Sequence, residues 1–169
     1  MAKDTKPILL LDVDGVLAPV VEDASTCGFV LHEVTASNGS VHHIWLNRDH
    51  GVWLNELREY FELVWATGWE HDAPRLLGPL LGLPPLEVLV FAERPQLSTT
   101  LRKLPDVAAR VGDSPVAWID DNFDPEARRW AQSRKAPTLL IEPHSACGLS
   151  QEHFRQVLAF GVLASAQIN

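Results

Sequence analysis

The sequence predicts one α/β domain built on a parallel sheet, with a three-layer, Rossmann-like architecture. Short apolar runs alternate along the chain with longer segments of helical periodicity, which is the pattern of successive βαβ units. The apolar runs that begin at Ile8 and Val116 each stop abruptly at two acidic residues. Because parallel sheets bind ligands beyond the carboxyl ends of their strands, these acids indicate a functional site at that edge.

Five strands are expected in the sheet, each a short, mainly apolar run of strand length. The first, which begins at Ile8, is continuously apolar, as in a strand buried on both faces. The five strands cover Ile8–Asp12, Glu62–Ala66, Leu86–Phe91, Val116–Asp120 and Thr138–Ile141. A β-hairpin is expected after the first strand, because Asn38-Gly39 separates two strand-like segments and both turn residues accept positive φ. The two segments are Phe29–Val34 and Val41–Leu46.

Helices are expected in the intervals between the strands. Their predicted first residues are Asn47 or Asp49, Asp72, Ser98, Asp124 and Ser150. These are residue types that accept hydrogen bonds from free backbone N–H groups, and Asp124 is expected to cap the helix that opens with Pro125. The third helix, from Ser98 to Arg110, contains Pro105, which is expected to break or restart it.

Composition and charge set limits on partners. Hydrophobic residues make up 46% and charged residues 21% of the 169 residues, and the net charge of −8 argues against nonspecific attraction to nucleic acid. No segment approaches the roughly 20 apolar residues that span a bilayer. The start from Met1 to Pro7 is followed by too short an apolar run for a signal segment. We expect a cytoplasmic protein without membrane association or a stable nucleic-acid complex.

The two cysteines offer no metal site. Cys27 and Cys147 lie far apart in the sequence and fit no metal-ligand spacing. Two free or buried thiols in a reducing compartment are the favoured interpretation, and one disulfide between them is the alternative.

The pairs Asp12/Asp14 and Asp120/Asp121 indicate the chemistry. Carboxylates that crowd together repel one another and resist ionising unless a cation neutralises them. A group of hard oxygen ligands suits Mg²⁺, which holds one or two carboxylates and leaves room for phosphate. The sequence therefore predicts phosphoryl chemistry at the carboxyl edge of the sheet, with Mg²⁺ as the cofactor.

These motifs, in this order, resemble the signatures of the haloacid dehalogenase-like (HAD) superfamily of phosphatases over roughly residues 8–141. Asp12-Val13-Asp14-Gly15-Val16-Leu17 resembles the first signature, and Thr67, after an apolar strand, resembles the second. Asp120-Asp121 matches the paired-acid form of the fourth. The third is a single basic residue, for which Lys103 or Arg102 is the candidate, with Arg94 and Lys135 as rivals.

The resemblance implies a hydrolase of phosphomonoesters that forms an aspartyl-phosphate. In that scheme Asp12 is the nucleophile, Asp14 the general acid and base, and Lys103 neutralises charge on the phosphate. Asp12 and the backbone carbonyl of Asp14 hold Mg²⁺ together with the second acidic pair, in which Asp121 is favoured as the direct ligand and Asp120 as its support. The substrate-binding residues implied are Thr67, Gly68, Trp69 and Arg94.

A separate cap domain does not fit between these motifs, because such a domain needs ~50 residues or more to bury its own core. Residues 18–62 hold only the hairpin flap and one helix, and residues 92–112 hold about one helix. The resemblance is therefore to a capless or minimally capped member, with one domain over residues 1–169. An open site of this kind suits a small phosphorylated metabolite, a nucleotide or polynucleotide end, or a phosphoprotein.

Two other functions fit parts of the pattern. A receiver-like phospho-signalling domain also clusters acids beside a lysine on an α/β sheet, but it has its phosphoacceptor on a later strand and does not require Asp14. A HAD-like module that has lost turnover and only binds its ligand is the second alternative. The complete set of acids with Thr67 argues against such a loss.

Overall fold

The computed structural model describes residues 6–168 and confirms the α/β class with a parallel central sheet. The strands are β1 (Ile8–Leu11), β2 (Val30–Thr35), β3 (Val41–Leu46), β4 (Glu62–Trp65), β5 (Glu87–Val88), β6 (Val116–Ile119) and β7 (Thr138–Ile141). Five of them form the sheet in the order β5-β4-β1-β6-β7, and β2 and β3 form a separate antiparallel hairpin. Met1–Thr5, which entered the expectation about a signal segment, lie outside the described residues.

Helices flank the sheet on both faces and complete the three layers. They are α1 (Arg48–Leu57), α2 (Gly78–Leu81), α3 (Thr99–Val111), α4 (Pro125–Ser133) and α5 (Gln151–Ile168), with a 3₁₀ turn at Ser25–Cys27 and a π-helical turn at Ala73–Leu77. Leu9 and Leu11 of β1 share one core with Val157 of α5. Leu10 faces the opposite core, which contains Val107 of α3. Because β1 is buried on both faces, its sequence is continuously apolar.

The register of the central strands brings the motif residues to one edge of the sheet. Leu11 of β1 aligns with Ile119 of the parallel neighbour β6. Asp12 and Asp120, the next residues, therefore leave adjacent strands side by side, and the Asp12 N–H donates to the Ile119 carbonyl at 3.1 Å. Thr67 follows β4, the other neighbour of β1, and reaches the same edge.

The predicted hairpin is present, and it is fastened to the chain that follows β4. Gly39, in its turn, has a φ of 85°. Ser37 donates to Asp72 Oδ2 through both its N–H and its Oγ, each at 2.9 Å. Arg75 Nη2 donates to the Thr35 carbonyl at 3.1 Å. These contacts hold the hairpin over the carboxyl edge of the sheet.

Pro105 does not break the third helix, so that prediction is wrong. Helix α3 continues through Pro105 and forgoes one backbone hydrogen bond there. Arg94 Nη1 donates to the Arg102 carbonyl at 2.9 Å, which places an outside donor in the turn that the proline disturbs. Burial of Val107 and Val111 on the same helix stabilises it against the loss.

Two other elements differ from the prediction. The third strand was expected over Leu86–Phe91, but β5 contains only Glu87–Val88, because its partner β4 ends at Trp65. Asp124 does not cap α4 with its side chain. Its Oδ2 instead accepts the Leu101 N–H of α3 at 3.1 Å, so it joins the starts of two helices.

The start of α5 agrees with the prediction that Ser150 is its cap. The His153 N–H donates to Ser150 Oγ at 3.2 Å, and the Ser150 N–H donates to His153 Nδ1 at 3.2 Å. Cys27 and Cys147 are both free and exposed, as the favoured interpretation allowed. No helix in residues 6–168 is long and apolar enough to cross a membrane.

Candidate active site

The two acidic motifs meet at the carboxyl edge of the sheet. Asp12 follows β1 and Asp120 follows β6, and both residues are buried, with 6% and 0% of their surface exposed. Two carboxylates buried side by side repel each other and lose their hydration, so the arrangement requires a counter-charge.

Lys103 of α3 supplies that counter-charge by bridging the two carboxylates. Its Nζ lies 2.9 Å from Asp12 Oδ2 and 2.7 Å from Asp120 Oδ2. Burial lowers the pKa of Lys103, but the charges of Asp12 and Asp120 and their hydrogen bonds outweigh it, so the net pKa is raised. The ammonium group therefore stays protonated at neutral pH. The Phe91 ring, centred 5.8 Å from Nζ, covers it further.

Asp120 has both of its carboxylate oxygens engaged by the protein. Oδ2 accepts from Lys103, and Oδ1 accepts the Asn122 N–H at 3.2 Å. Burial raises the pKa of Asp120 to about 7, an effect that Lys103 opposes and the charge of Asp12 reinforces. Full burial of Asp120 suits the supporting role expected for it.

Asp121 completes a cluster of three carboxylates. Oxygens of Asp12, Asp120 and Asp121 lie within 4.8 Å of one another. Gly15 makes this approach possible, because it has a φ of 72° and a Cβ at that position would lie 2.1 Å from Asp121 Oδ2. Burial, and then the charge of Asp12, raises the pKa of Asp121. Its carboxylate thus lies in a negative environment that favours a bound cation.

The composition of this cluster fits a divalent cation. One ammonium group cannot balance three carboxylates, so negative charge remains at the sheet edge. Carboxylate oxygens at this spacing are hard ligands of the kind that Mg²⁺ takes. Each of the three residues Asp12, Asp120 and Asp121 offers one carboxylate oxygen to this cluster.

Asp14 is held separately by the loop that follows β4. Its Oδ2 accepts a hydrogen bond from Trp69 Nε1 at 3.0 Å. The Trp69 ring in turn packs against the hairpin, with its centroid 5.0 Å from that of His42. Asp14 is exposed on one side, but burial of the rest of the side chain raises its pKa. The hydrogen bond from Trp69 lowers the pKa by less than burial raises it, and the charge of Asp12 raises it further.

Thr67 and Gly68 lie where a phosphate contact was expected. Thr67 is fully buried, and its Oγ1 accepts the Trp69 N–H at 3.3 Å, which leaves the hydroxyl hydrogen available for another acceptor. The α-carbon of Gly68 faces open space. Glu70 has a φ of 45°, rare outside glycine, so the chain bends sharply just after these residues.

The structure separates Lys103 from its rivals for the third motif. Arg94 pairs with Asp106 at 2.5 Å, and Arg102 is exposed. Lys135 precedes β7 and therefore lies at the opposite, amino edge of the sheet. Among these four basic residues, Lys103 is the one that contacts Asp12.

Two cavities open beside Asp14. The carboxylate cavity, of about 430 Å³, is lined by Asp12, Asp14, Gly68, Glu70, Phe91, Ala92, Glu93, Arg94, Arg102, Lys103 and Asp121. The hairpin cavity, of about 380 Å³, is lined by Asp14, Ala18, Pro19, Val20, Val21, Glu22, Leu31, His42, His43, Ile44, Trp45 and Trp69. Of the predicted substrate-binding residues, Gly68 and Arg94 line the first cavity, Trp69 lines the second, and the buried Thr67 lines neither. Asp14 lines both.

Two contacts of the site were not predicted from the sequence. The first is the hydrogen bond from Trp69 to Asp14, which joins residues 55 positions apart. The second is the close passage of Asp121 over Gly15. A glycine directly after Asp14 signals a turn, but not which side chain the turn admits.

Comparison with known proteins gives a distant likeness. No protein-family model and no curated protein matches the sequence. The chain is similar to the solved 3-deoxy-D-manno-octulosonate 8-phosphate phosphatase of Yersinia pestis, with 16% identity and a TM-score of 0.43 over 98% of this chain and 84% of that chain. It has the same identity and TM-score with a Vibrio cholerae protein assigned that activity, over 99% of this chain and 89% of that chain.

A likeness at this identity and TM-score carries no information about the substrate or the metal of this chain. Those questions depend on the residues at the sheet edge.

Proposed function

We propose that this protein is a Mg²⁺-dependent phosphatase that hydrolyses a phosphomonoester through an aspartyl-phosphate on Asp12. One observation supports the proposal above the others. Lys103 contacts Asp12 and Asp120 together, while Asp121 completes a carboxylate cluster and Asp14 is held apart from it by Trp69. The arrangement separates two roles. Asp12 has a fixed counter-charge beside it, which suits a nucleophile, and Asp14 has a raised pKa, which suits a general acid.

In the first step, Asp12 attacks phosphorus and the ester oxygen leaves. Asp12 suits this role because Lys103 fixes its carboxylate in one orientation. Asp14 suits the role of general acid, because its raised pKa keeps more of it protonated than an ordinary aspartate. The Thr67 hydroxyl donates to a phosphate oxygen and helps to orient the group that is transferred.

In the second step, water releases phosphate from Asp12. Asp14, having given its proton to the leaving oxygen, now takes one from the attacking water. Lys103 remains beside Asp12 and accommodates the charge that returns to its carboxylate when the acyl-phosphate bond breaks. One residue thus serves as acid and then as base.

The carboxylate oxygens of Asp12 and Asp121, with the backbone carbonyl of Asp14, would hold Mg²⁺, and Asp120 would support them. The ion, when bound, offsets the repulsion between an anionic nucleophile and an anionic phosphate. Asp121 is better suited to direct contact than Asp120, because Asp121 lines the carboxylate cavity whereas Asp120 is fully buried and does not line it.

The test is hydrolysis of p-nitrophenyl phosphate by the wild type with Mg²⁺, by the wild type with EDTA, and by Asp12→Asn with Mg²⁺. Only the first sample should be active, and Asp12→Asn should lose activity by about 10⁴-fold or more because the nucleophile is gone.

Asp113→Asn is the matched control for Asp12→Asn, because it is the same substitution at the other edge of the sheet. Asp113 precedes β6 at the amino edge, whereas Asp12 follows β1 at the carboxyl edge. It should keep wild-type activity. Equal rates for Asp12→Asn and wild type would exclude the nucleophile assignment. If the wild type binds a phosphorylated ligand in a metal-dependent way but does not hydrolyse it, the binding-only alternative is favoured.

A further inference from the structure

The hairpin cavity adjoins the proposed general acid without reaching the proposed nucleophile. Asp14 lines both cavities, whereas Asp12 and Lys103 line only the carboxylate cavity. The hairpin cavity lies between the chain that follows β1 and the strands β2 and β3, and Trp69 closes one side of it. The proposed chemistry uses Asp14 but assigns no role to the space beyond it.

We propose, building on the phosphatase function above, that the hairpin cavity binds the leaving group of the substrate, and that this group is uncharged, flat and largely apolar. The substrate class is then a monoester of a small ring-bearing alcohol or phenol, with the phosphate in the carboxylate cavity and the ring against the hairpin.

The placement follows from the geometry of phosphoryl transfer. The attacking oxygen and the leaving oxygen lie roughly in line on opposite sides of phosphorus. In the proposed reaction the Asp12–phosphorus bond forms while the bond from phosphorus to the ester oxygen breaks, and the ester oxygen takes its proton from Asp14. The leaving group is therefore expected at the side of the site that has Asp14 but not Asp12, which is the hairpin cavity.

The chemistry of the leaving group follows from the lining. Val21 and Leu31 offer apolar walls that are 41% and 46% exposed, and Trp45 and Trp69 offer flat aromatic surfaces. The lining also contains His42, which packs against Trp69, and His43, which pairs with Glu33. Its acidic residues are Asp14 and Glu22, and no lysine or arginine is among the lining residues. A second anionic group on the substrate would meet repulsion there, whereas an uncharged ring would cover exposed apolar surface.

The size of the cavity sets the scale of the group. Its volume of about 380 Å³ is in the range of small-molecule sites, which span roughly 300–1,000 Å³. A ring system with its ester oxygen at Asp14 fills such a space. This favours a small ring-bearing substrate over the polynucleotide end or phosphoprotein that the sequence left open.

The test compares 2-naphthyl phosphate with glycerol phosphate, whose leaving group is too small to fill the hairpin cavity. Leu31→Glu adds a carboxylate to the cavity wall and should lower the ratio of kcat/KM for naphthyl phosphate to kcat/KM for glycerol phosphate by about tenfold. Val21→Glu, on the chain that follows β1, should do the same. Phosphoglycerate, which adds a carboxylate to the glycerol skeleton, should be about tenfold poorer than glycerol phosphate with the wild type.

Val30→Glu is the matched control, because Val30 neighbours Leu31 on β2, is 54% exposed and does not line the hairpin cavity. It should leave the ratio unchanged. The leaving-group assignment is overturned, and the phosphatase function kept, if glycerol phosphate is hydrolysed but neither Leu31→Glu nor Val21→Glu alters the ratio, or if Val30→Glu alters it equally. If the wild type hydrolyses neither ester and also leaves p-nitrophenyl phosphate intact, the phosphatase function fails and the leaving-group site with it.

Discussion

Helix α3 carries two basic residues that each bridge two carboxylates, at opposite ends of the same sheet. Lys103 joins Asp12 and Asp120 at the carboxyl edge. Seven residues later, Arg110 lies 2.7 Å from Glu62 at the start of β4 and 2.6 Å from Glu87 at the start of β5. The side chains of the first trio are 5%, 8% and 0% exposed, whereas those of the second are 24%, 51% and 42% exposed.

The difference in burial separates the candidate active site from an ordinary group of surface ion pairs. Exposed pairs are screened by water and contribute about 0–1 kcal/mol to folding. Burying Lys103, Asp12 and Asp120 costs hydration that their attraction recovers only in part, so stability alone does not explain the trio. Its buried charges are accounted for if they orient a nucleophile and bind a cation.

The largest expected effect distinguishes the two cations directly. Lys103→Met should reduce phosphatase activity by about 10²- to 10³-fold and the free energy of unfolding by about 3 kcal/mol, because Asp12 and Asp120 remain buried without their counter-charge. Arg110→Met should change activity by less than about twofold and stability by less than about 1 kcal/mol. Steady-state kinetics and urea unfolding measure both effects. Equal losses in the two variants would contradict the comparison.

The carboxyl edge of the sheet also depends on the close approach of Asp121 to Gly15, and Gly39 in the hairpin turn has no such neighbour. Gly15→Ala would displace Asp121 and should raise the half-saturating Mg²⁺ concentration by about tenfold. Gly39→Ala is its control, because Gly39 also has positive φ, at 85°, but faces open space. Both variants should be destabilised by about 1 kcal/mol from backbone strain. Unchanged Mg²⁺ dependence in Gly15→Ala would remove Asp121 from the metal site.

Trp69→Phe tests the part of the site that lies outside the buried trio. The hydrogen bond from Trp69 favours the charged form of Asp14, so its removal should raise the pKa of Asp14. Since the general acid must be protonated, the alkaline limb of the kcat profile on glycerol phosphate should move to higher pH. Loss of orientation should also lower kcat by about tenfold.

The control for Trp69 is Trp53→Phe, since Trp53 stacks on Phe154 with centroids 5.6 Å apart and lines neither cavity. Its pH profile should match that of the wild type. A shift of the same size in both variants would mean that Trp69 acts only through general packing.

The smallest expected effect is a difference in how the two trios respond to pH. The pKa of Asp120 rises from 3.8 to about 7 mainly through burial, so in metal-free protein its contribution to stability is lost as pH rises from about 4 to 7. Arg110 lowers the pKa of Glu87 below 4.5, so the contribution of Glu87 is present above that pH and lost as pH falls through its folded value.

Urea unfolding of metal-free wild type, Asp120→Asn and Glu87→Gln between pH 3.5 and 7.5 (roughly the window of these shifts) checks this contrast. The stability of Asp120→Asn relative to wild type should increase with pH, by on the order of 2 kcal/mol across the range. The stability of Glu87→Gln relative to wild type should instead decrease as pH rises, by a smaller amount and only at the acidic end of the range. Parallel curves for all three proteins would refute the assignment of the shifts.

The strands and the acids were predictable because burial on both faces leaves a continuously apolar run, and the register of parallel strands then fixes where Asp12 and Asp120 emerge. Lys103 was the favoured basic residue, but the sequence did not exclude Arg102. In one continuous helix, Lys103 shares a face with Val107 and Val111, both buried, while Arg102 is turned away. The expected break at Pro105 hid this relation.

The contacts of Asp14 and Asp121 lay beyond the sequence for a different reason. The bond between Trp69 and Asp14 depends on how the hairpin packs over the edge, with His42 against the indole ring. That packing is set by tertiary contacts between Ser37 and Asp72, which no local pattern encodes.

The central claim, that Asp12 carries the phosphoryl group, is tested most directly by trapping the intermediate. In Asp14→Asn the first step on p-nitrophenyl phosphate should proceed, because its leaving group needs little protonation, while the second step lacks its base. With Mg²⁺ the variant should gain the mass of one phosphoryl group, and borohydride reduction followed by peptide mapping should find homoserine in place of Asp12. Turnover without any such adduct, or a phosphoryl group on another residue, would contradict the claim.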